Sequence, residues 1–340
     1  MRAVVLEGKK QLTVKEVATP QADGKKVLIK IERCGICGSD IHYWDMGDRV
    51  GLIMGHEFSG TVVDPGSRED LKVGDRVTAL PLDPCGKCPA CQKGKWNACM
   101  PSLQVSPGLS PAAPGAYSEY FLSHPAMVRK LADHVSFDEA AMLEPAAVTL
   151  RAVRVVDVQP GDSVLVAGGG IIGLLAAAWA KAAGASYIAL TEANPLRGEN
   201  ALKMGDIDAY FDARDEQVVP KLMQASGGGF DKFIECVGMA PSVNTGLAAL
   251  KHGGDCLLAG VSYAPLPIST ILMTIKELNI KATLGYVEEF DLALKMITNG
   301  KIELTRFISG YVGLDGVQDS FDKLTCGKYG DVKILIDPSK

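Results

Sequence analysis

The sequence predicts an α/β protein of two domains, one mostly β and one a doubly wound parallel sheet, and three observations carry that expectation. The chain has 340 residues, more than one ordinary core and close to two at about 150 residues each. Its first 130 residues alternate β-branched strands with Gly/Pro turns and have little helical periodicity. From about residue 160, short apolar strands alternate with helical runs, the rhythm of a parallel sheet covered by helices on both faces.

In the first half, "KVLIKIERCG" and "FSGTVVDPG" read as strands, and "VSPGLSPAAPG" (105–115) as a turn-rich loop. In the second, "SVLVAG" is followed by a helical run over 171–183, then by the strands "SYIALT", "FDKFIECVG" and "GGDCLLAGV". Beyond residue 286 this rhythm stops: "EFDLALKMITNGKIE" reads as an amphipathic helix and "DVKILIDP" as a closing strand. The expected division is therefore residues 1–148 with 286–340 as one domain, and 149–285 as the other.

Composition removes several classes of function. Apolar residues make up 47% of the chain, enough for two cores, which excludes general disorder. With 35 basic against 40 acidic residues, the net charge of −5 offers no field for nucleic acid or anionic lipid. The longest aliphatic stretch, 174–180, is broken by Lys181, far short of the roughly 20 residues that cross a bilayer. The opening "MRAVVLEGKKQLTVKE" alternates like a strand and lacks a secretory pattern, so a cytoplasmic protein is expected. Nine cysteines cannot all pair, and six precede residue 100, which points to metal ligation or reactivity rather than disulfides.

Cys85, Cys88, Cys91 and Cys99 form C-x2-C-x2-C-x7-C, a spacing over which one loop wraps four thiolates around a tetrahedral ion. Zinc is the expected occupant, structural because four thiolates leave no open position; the competing readings are four unrelated thiols or an iron–sulfur cluster. A second, open site is expected from Cys37 in "CGICGSDIH", His56 and Glu57 in "MGHEFSG", and Glu144 in "MLEPAAVT". One thiolate and one carboxylate cancel Zn²⁺, whereas both glutamates at once would make the site anionic. One glutamate is thus expected to ligate while the other holds water, with the two free to exchange roles. Asp40 is placed to orient His56, and Ser39 and His42 supply the parts of a proton relay. Cys34 reads as a buried thiol.

Gly168, Gly170 and Gly173 give G-x-G-x-x-G directly after a strand and at the opening of a helix, with Ile172 inside the motif. This is the setting in which backbone approaches a pyrophosphate at a helix N-terminus. Glu192, 19 residues past Gly173, suits a ribose diol and repels a 2′-phosphate, so NAD is expected over NADP, with Arg197 nearby weakening the repulsion.

Together "CGICGSD-H", "GHE", "GDRV", the four-cysteine lobe, "EP" and the glycine motif resemble the zinc-dependent medium-chain dehydrogenase/reductase superfamily along essentially the whole chain. Within it, "GSDIHYW" and the Cys37/His56/Glu57/Glu144 set resemble the sorbitol, xylitol and butanediol dehydrogenases. The resemblance implies a GroES-like catalytic domain built from both chain ends around a Rossmann domain, two zinc ions, a small alcohol or ketone substrate, and a homodimer or homotetramer. It also implies that Cys37, His56 and one glutamate bind the catalytic zinc while Ser39 and His42 relay protons. One departure stands out: where sorbitol dehydrogenases carry arginine before a tyrosine, this chain has Gly285 before Tyr286, which puts a long polyol in doubt and brings a compact diol, hydroxyketone or secondary alcohol level with it. Rival readings are a zinc-ribbon protein that senses nucleotides without catalysis, and a zinc-free enone or quinone reductase on the same scaffold.

Overall fold

The computed structural model describes residues 1–340, which divide into two units, Met1–Glu144 with Phe290–Lys340, and Pro145–Glu289. The first unit opens with the antiparallel hairpin of β1 (Arg2–Gly8) and β2 (Gln11–Glu16). It continues through β3 (Val27–Gly35), α1 (Gly38–Met46), β4 (Phe58–Asp64) and β5 (Arg76–Ala79). The cysteine lobe follows with two short helices, α2 (Pro89–Gln92) and α3 (Met100–Gln104), and then β6 (Tyr120–Ser123), β7 (Val128–Lys130) and α4 (Phe137–Ala141). The next helix, α5 (Leu143–Val156), carries the chain across the boundary between the units.

The second unit alternates as its apolar rhythm dictates: β8 (Ser163–Ala167), α6 (Ile171–Ala182), β9 (Tyr187–Glu192), α7 (Pro195–Met204), β10 (Ala209–Asp212), α8 (Val218–Ala225), β11 (Phe230–Glu235), α9 (Ala240–Ala249), β12 (Leu250–Leu258), α10 (Thr270–Ile275) and β13 (Asn279–Ala282). All its pairings are parallel, in the order β10-β9-β8-β11-β12-β13. The first strand lies mid-sheet and the winding reverses between β8 and β11, the switch point at which such sheets bind ligands. Every residue of β8 is buried, as a strand covered on both faces must be. Leu165, Phe230, Phe233 and Leu247 anchor the core beneath one face.

The chain then returns to the first unit through α11 (Glu289–Thr298), β14 (Gly310–Val312), α12 (Val317–Thr325) and β15 (Ile334–Ile336). Its sheet runs β14-β15-β3-β4-β5-β7, with β6 pairing β3. The closing strand lies antiparallel to β3, Leu335 opposite Gly35 and Ile336 opposite Cys34. No helix is long and apolar enough to cross a membrane.

Candidate active site

β3 ends at Gly35 and delivers Cys37 to the N-cap of α1. That helix is set by its ends rather than by an apolar stripe. The Asp40 carboxylate accepts from Cys37 N–H at 3.0 Å, and Gly47, left-handed at φ 69°, closes the other end by donating to Tyr43 O at 2.8 Å. His56 and Glu57 precede β4 and are pinned to the same place, since Gly35 N–H donates to Glu57 O at 2.7 Å. The ligand atoms of Cys37, His56 and Glu57 all lie within 4.8 Å of one another. Asp40 Oδ1 stands 3.6 Å from His56 Nδ1, which leaves Nε2 as the nitrogen for a metal.

The surroundings of this set are anionic, and His56, Glu57, Asp40 and Lys333 are buried. Burial opposes charging the His56 imidazole, but Cys37, Asp40 and Glu144 outweigh it and hold the group well above the usual histidine range. Glu57 is ion-paired to Lys333, whose ammonium also donates to Ile36 O at 2.9 Å. Both side chains are buried, and burial pulls Lys333 down while Glu57, Cys37 and Glu144 together pull it up. Glu144, in the first turn of α5, lies outside the tight cluster yet is felt at both His56 and Lys333. One buried lysine faces the carboxylates of Glu57, Glu144 and Asp40 around Cys37 and His56, an anionic surplus that a divalent cation would offset. Glu57 Oε1 and His56 Nδ1 are buried without hydrogen-bond partners. A sulfur, an imidazole nitrogen and an orphaned carboxylate oxygen, so placed, fit a zinc ion.

On α1 the Ser39 hydroxyl donates to Cys37 Sγ at 3.3 Å, and His42 follows one turn on, exposed. Cys34 is fully buried, and that burial raises its thiol well above the usual range.

The four lobe cysteines also converge, with sulfurs within 4.8 Å of one another. Cys91 N–H donates to Cys88 Sγ at 3.5 Å and Cys85 N–H to Cys99 Sγ at 3.4 Å. Backbone N–H groups of Lys87 and Cys88 bring Cys85 down to about 6. Desolvation and the neighbouring sulfurs push Cys91 up to about 12. Four thiols this close do not all ionise without a cation among them. Between residues 85 and 105 only Cys99 and Ser102 are buried, so the lobe has no apolar core of its own.

In the second unit each glycine of the turn after β8 has its own reason. Gly168 is left-handed at φ 100°, a Cβ on Gly173 would overlap Gly168 O, and a Cβ on Gly170, the N-cap of α6, would project into open space. That open space at a helix N-terminus fits a pyrophosphate. Ile172 sits half-buried in the first turn of α6, and Arg197 is half-buried on α7. Glu192 closes β9 and braces the turn, accepting from Gly169 N–H at 2.6 Å and Asn194 N–H at 2.7 Å. Each of its oxygens keeps a lone pair for a ribose hydroxyl.

Sequence reasoning missed Lys333 and Tyr117, whose hydroxyl donates to Asp40 Oδ2 at 2.7 Å. A signal for Lys333 existed: a lysine inside the otherwise apolar "VKILI" of a closing strand. Nothing distinguished Tyr117 from an ordinary core aromatic.

Comparison with known proteins gives consistent matches. Residues 23–133 match the family described as alcohol dehydrogenase GroES-like domain, and residues 172–299 the family described as zinc-binding dehydrogenase. The chain is 30% identical to sorbitol dehydrogenase of Bacillus subtilis, covering 100% of this chain and 98% of that protein. It is 32% identical to a probable D-xylulose reductase A of Aspergillus fumigatus, over 98% of this chain and 95% of that one. The solved structure of 2R,3R-butanediol dehydrogenase from Bacillus subtilis superposes with a TM-score of 0.88 at 30% identity, over 99% of both chains.

Proposed function

The chain belongs to the zinc-dependent medium-chain dehydrogenase/reductase superfamily and is an alcohol or polyol dehydrogenase; from that premise we propose reversible oxidation of a secondary alcohol to its ketone, with NAD as the redox partner. The observation that carries this reading is the convergence of half-buried Cys37 with buried His56 and Glu57, their ligand atoms within 4.8 Å of one another. A zinc ion held there supplies Lewis acidity toward the substrate oxygen, and a nicotinamide supplies the hydride acceptor.

The side chains have separate duties. Cys37 and His56 hold the metal, and one glutamate completes the set, Glu57 through its free Oε1 or Glu144, while the other holds water. Lys333 keeps Glu57 neutralised so that both carboxylates share one site. Ser39, whose hydroxyl already rests on Cys37 Sγ, takes the substrate proton and passes it through His42 to solvent. A second zinc, bound by Cys85, Cys88, Cys91 and Cys99, maintains the lobe, making two ions per chain. Gly168, Gly170, Ile172 and Gly173 receive the pyrophosphate at the start of α6. Glu192 binds the ribose diol and repels a 2′-phosphate, so NAD is preferred over NADP despite Arg197.

A compact diol suits this chain better than a long polyol, because Gly285, left-handed at φ 58°, brings no guanidinium to bind several hydroxyls. The free edge strand β13 and the exposed Ile271 and Ile275 of α10 are assigned to a second copy. Light scattering is then expected to return a dimer or tetramer of the 36.0 kDa chain.

The test is absorbance of reduced nicotinamide on mixing zinc-loaded protein with NAD⁺ and a panel of secondary alcohols and diols. Turnover is expected with small diols, slower with NADP⁺, and lost in Cys37→Ser with the fold intact. Silence across the panel overturns the substrate class, and turnover surviving in Cys37→Ser overturns the metal site.

A further inference from the structure

We propose that Tyr117 is a positioning residue for the metal-binding imidazole: its hydroxyl fixes the Asp40 carboxylate, and Asp40 in turn sets the orientation of His56. The inference rests on the assignment of Cys37 and His56 as metal ligands and adds a residue to it.

Tyr117 and Asp40 are both fully enclosed. The phenol donates to Asp40 Oδ2 at 2.7 Å, and the same oxygen accepts from Cys37 N–H at 3.0 Å. Two donors converging on one oxygen lock the carboxylate plane. The other oxygen, Oδ1, is left buried without a hydrogen-bond partner, 3.6 Å from the equally unpartnered His56 Nδ1. The carboxylate therefore presents its free oxygen to the imidazole because its bound oxygen is held from the opposite side.

The same tyrosine also grips the backbone that carries His56. Its N–H donates to Met54 O at 2.9 Å, and its neighbour Ala116 donates to Gly55 O at 2.8 Å. Its ring closes on Gly55, where an added Cβ would come within 2.5 Å of Tyr117 Cδ1. Phe321 holds the ring edge-to-face, with centroids 6.4 Å apart at 89°. One residue thus touches both the ligand's backbone and the ligand's orienting partner. A phenylalanine would satisfy every one of these packing contacts, so the hydroxyl has a single use here, the carboxylate of Asp40.

The experiment measures zinc release to a chromogenic chelator from the full-length zinc-loaded protein, the open site being identified as the phase absent from Cys37→Ser. Tyr117→Phe is expected to accelerate that phase about ten-fold, the lower end of what loss of an outer partner does to metal affinity, while the four-cysteine phase stays unchanged. In an Asp40→Asn background, adding Tyr117→Phe is expected to change nothing further, because the hydroxyl acts only through that carboxylate. The visible spectrum of the cobalt-substituted protein should shift in Tyr117→Phe for the same reason. An unchanged release phase in Tyr117→Phe, or an equal acceleration in the Asp40→Asn background, overturns the proposal. Absence of any phase dependent on Cys37 overturns the metal-site assignment, and the proposal with it.

Discussion

Lys333 is a full charge immediately before β15, among apolar neighbours, and its side chain is completely buried against Glu57. Deleting one partner of such a pair strands the other, at a cost of about 3–5 kcal/mol. Lys333→Met is therefore expected to lower the thermal midpoint of metal-stripped protein sharply, and that of zinc-loaded protein much less, because the cation takes over neutralisation of Glu57. Chelator competition should meanwhile show tighter zinc binding at the open site, now one charge more negative. Calorimetric scans with and without metal check the first expectation; equal losses in both states would mean that Lys333 contributes packing rather than charge. At this scale the sequence was legible where chemistry is local. Cys37, His56 and Glu57 are distinctive residue types on neighbouring segments, and the structure brings them together. The partners of Lys333 and Tyr117 were not legible, because each lies far along the chain, 276 residues away for Lys333 and 77 for Tyr117.

Among the elements, the turn between β8 and α6 separates two uses of glycine that a motif alone runs together. At Gly173 an added methyl overlaps Gly168 O, so Gly173→Ala must push α6 from its strand, an overpacking cost of about 1–3 kcal/mol. At Gly170 a methyl meets no atom of the chain, and the backbone at φ −78° accepts any residue. Gly170→Ala is thus expected to unfold near the wild-type temperature yet bind the dinucleotide weakly, since the methyl enters the space proposed for the pyrophosphate. Gly173→Ala is expected to lose both. Thermal unfolding and titration calorimetry with NAD⁺ separate the cases; unimpaired binding by Gly170→Ala would remove the pyrophosphate from that position. Strand–helix alternation made β8, α6 and β9 readable, because buried apolar runs and a twelve-residue helix leave a periodic trace. The helix α1 left none. Only Asp40, Tyr43 and Trp44 are buried along it, and it is fixed by the Cys37–Asp40 cap and by Gly47, which are side-chain geometries rather than a pattern of hydropathy.

For the molecule as a whole, the consequence of the topology is that one unit is continuous in sequence and the other is not. Residues 145–289 close on themselves: Arg154 of α5 donates to Glu289 at 2.9 Å and to Glu288 at 2.6 Å, tying the unit's first helix to its last residues. Their sheet has its own core, from Leu165 to Cys256. The first unit instead depends on residues that arrive last. Ile334 O accepts from Ile36 N–H at 3.1 Å beside Cys37. Phe321 packs on Trp44 with centroids 5.6 Å apart, and Lys333 neutralises Glu57. A fragment of residues 143–289, of ordinary domain size at about 150 residues, is therefore expected to unfold cooperatively and to retain NAD⁺ binding by calorimetry. A fragment of residues 1–144 is expected to show no cooperative transition, because β3 loses β15 from one edge, Trp44 loses its aromatic neighbour and Glu57 becomes a buried unpaired charge. Supplying residues 290–340 as a separate polypeptide should restore the transition, since what is missing is a set of contacts and not a covalent link. Cooperative unfolding of 1–144 by itself would make the returning segment an accessory to the metal site rather than part of its foundation.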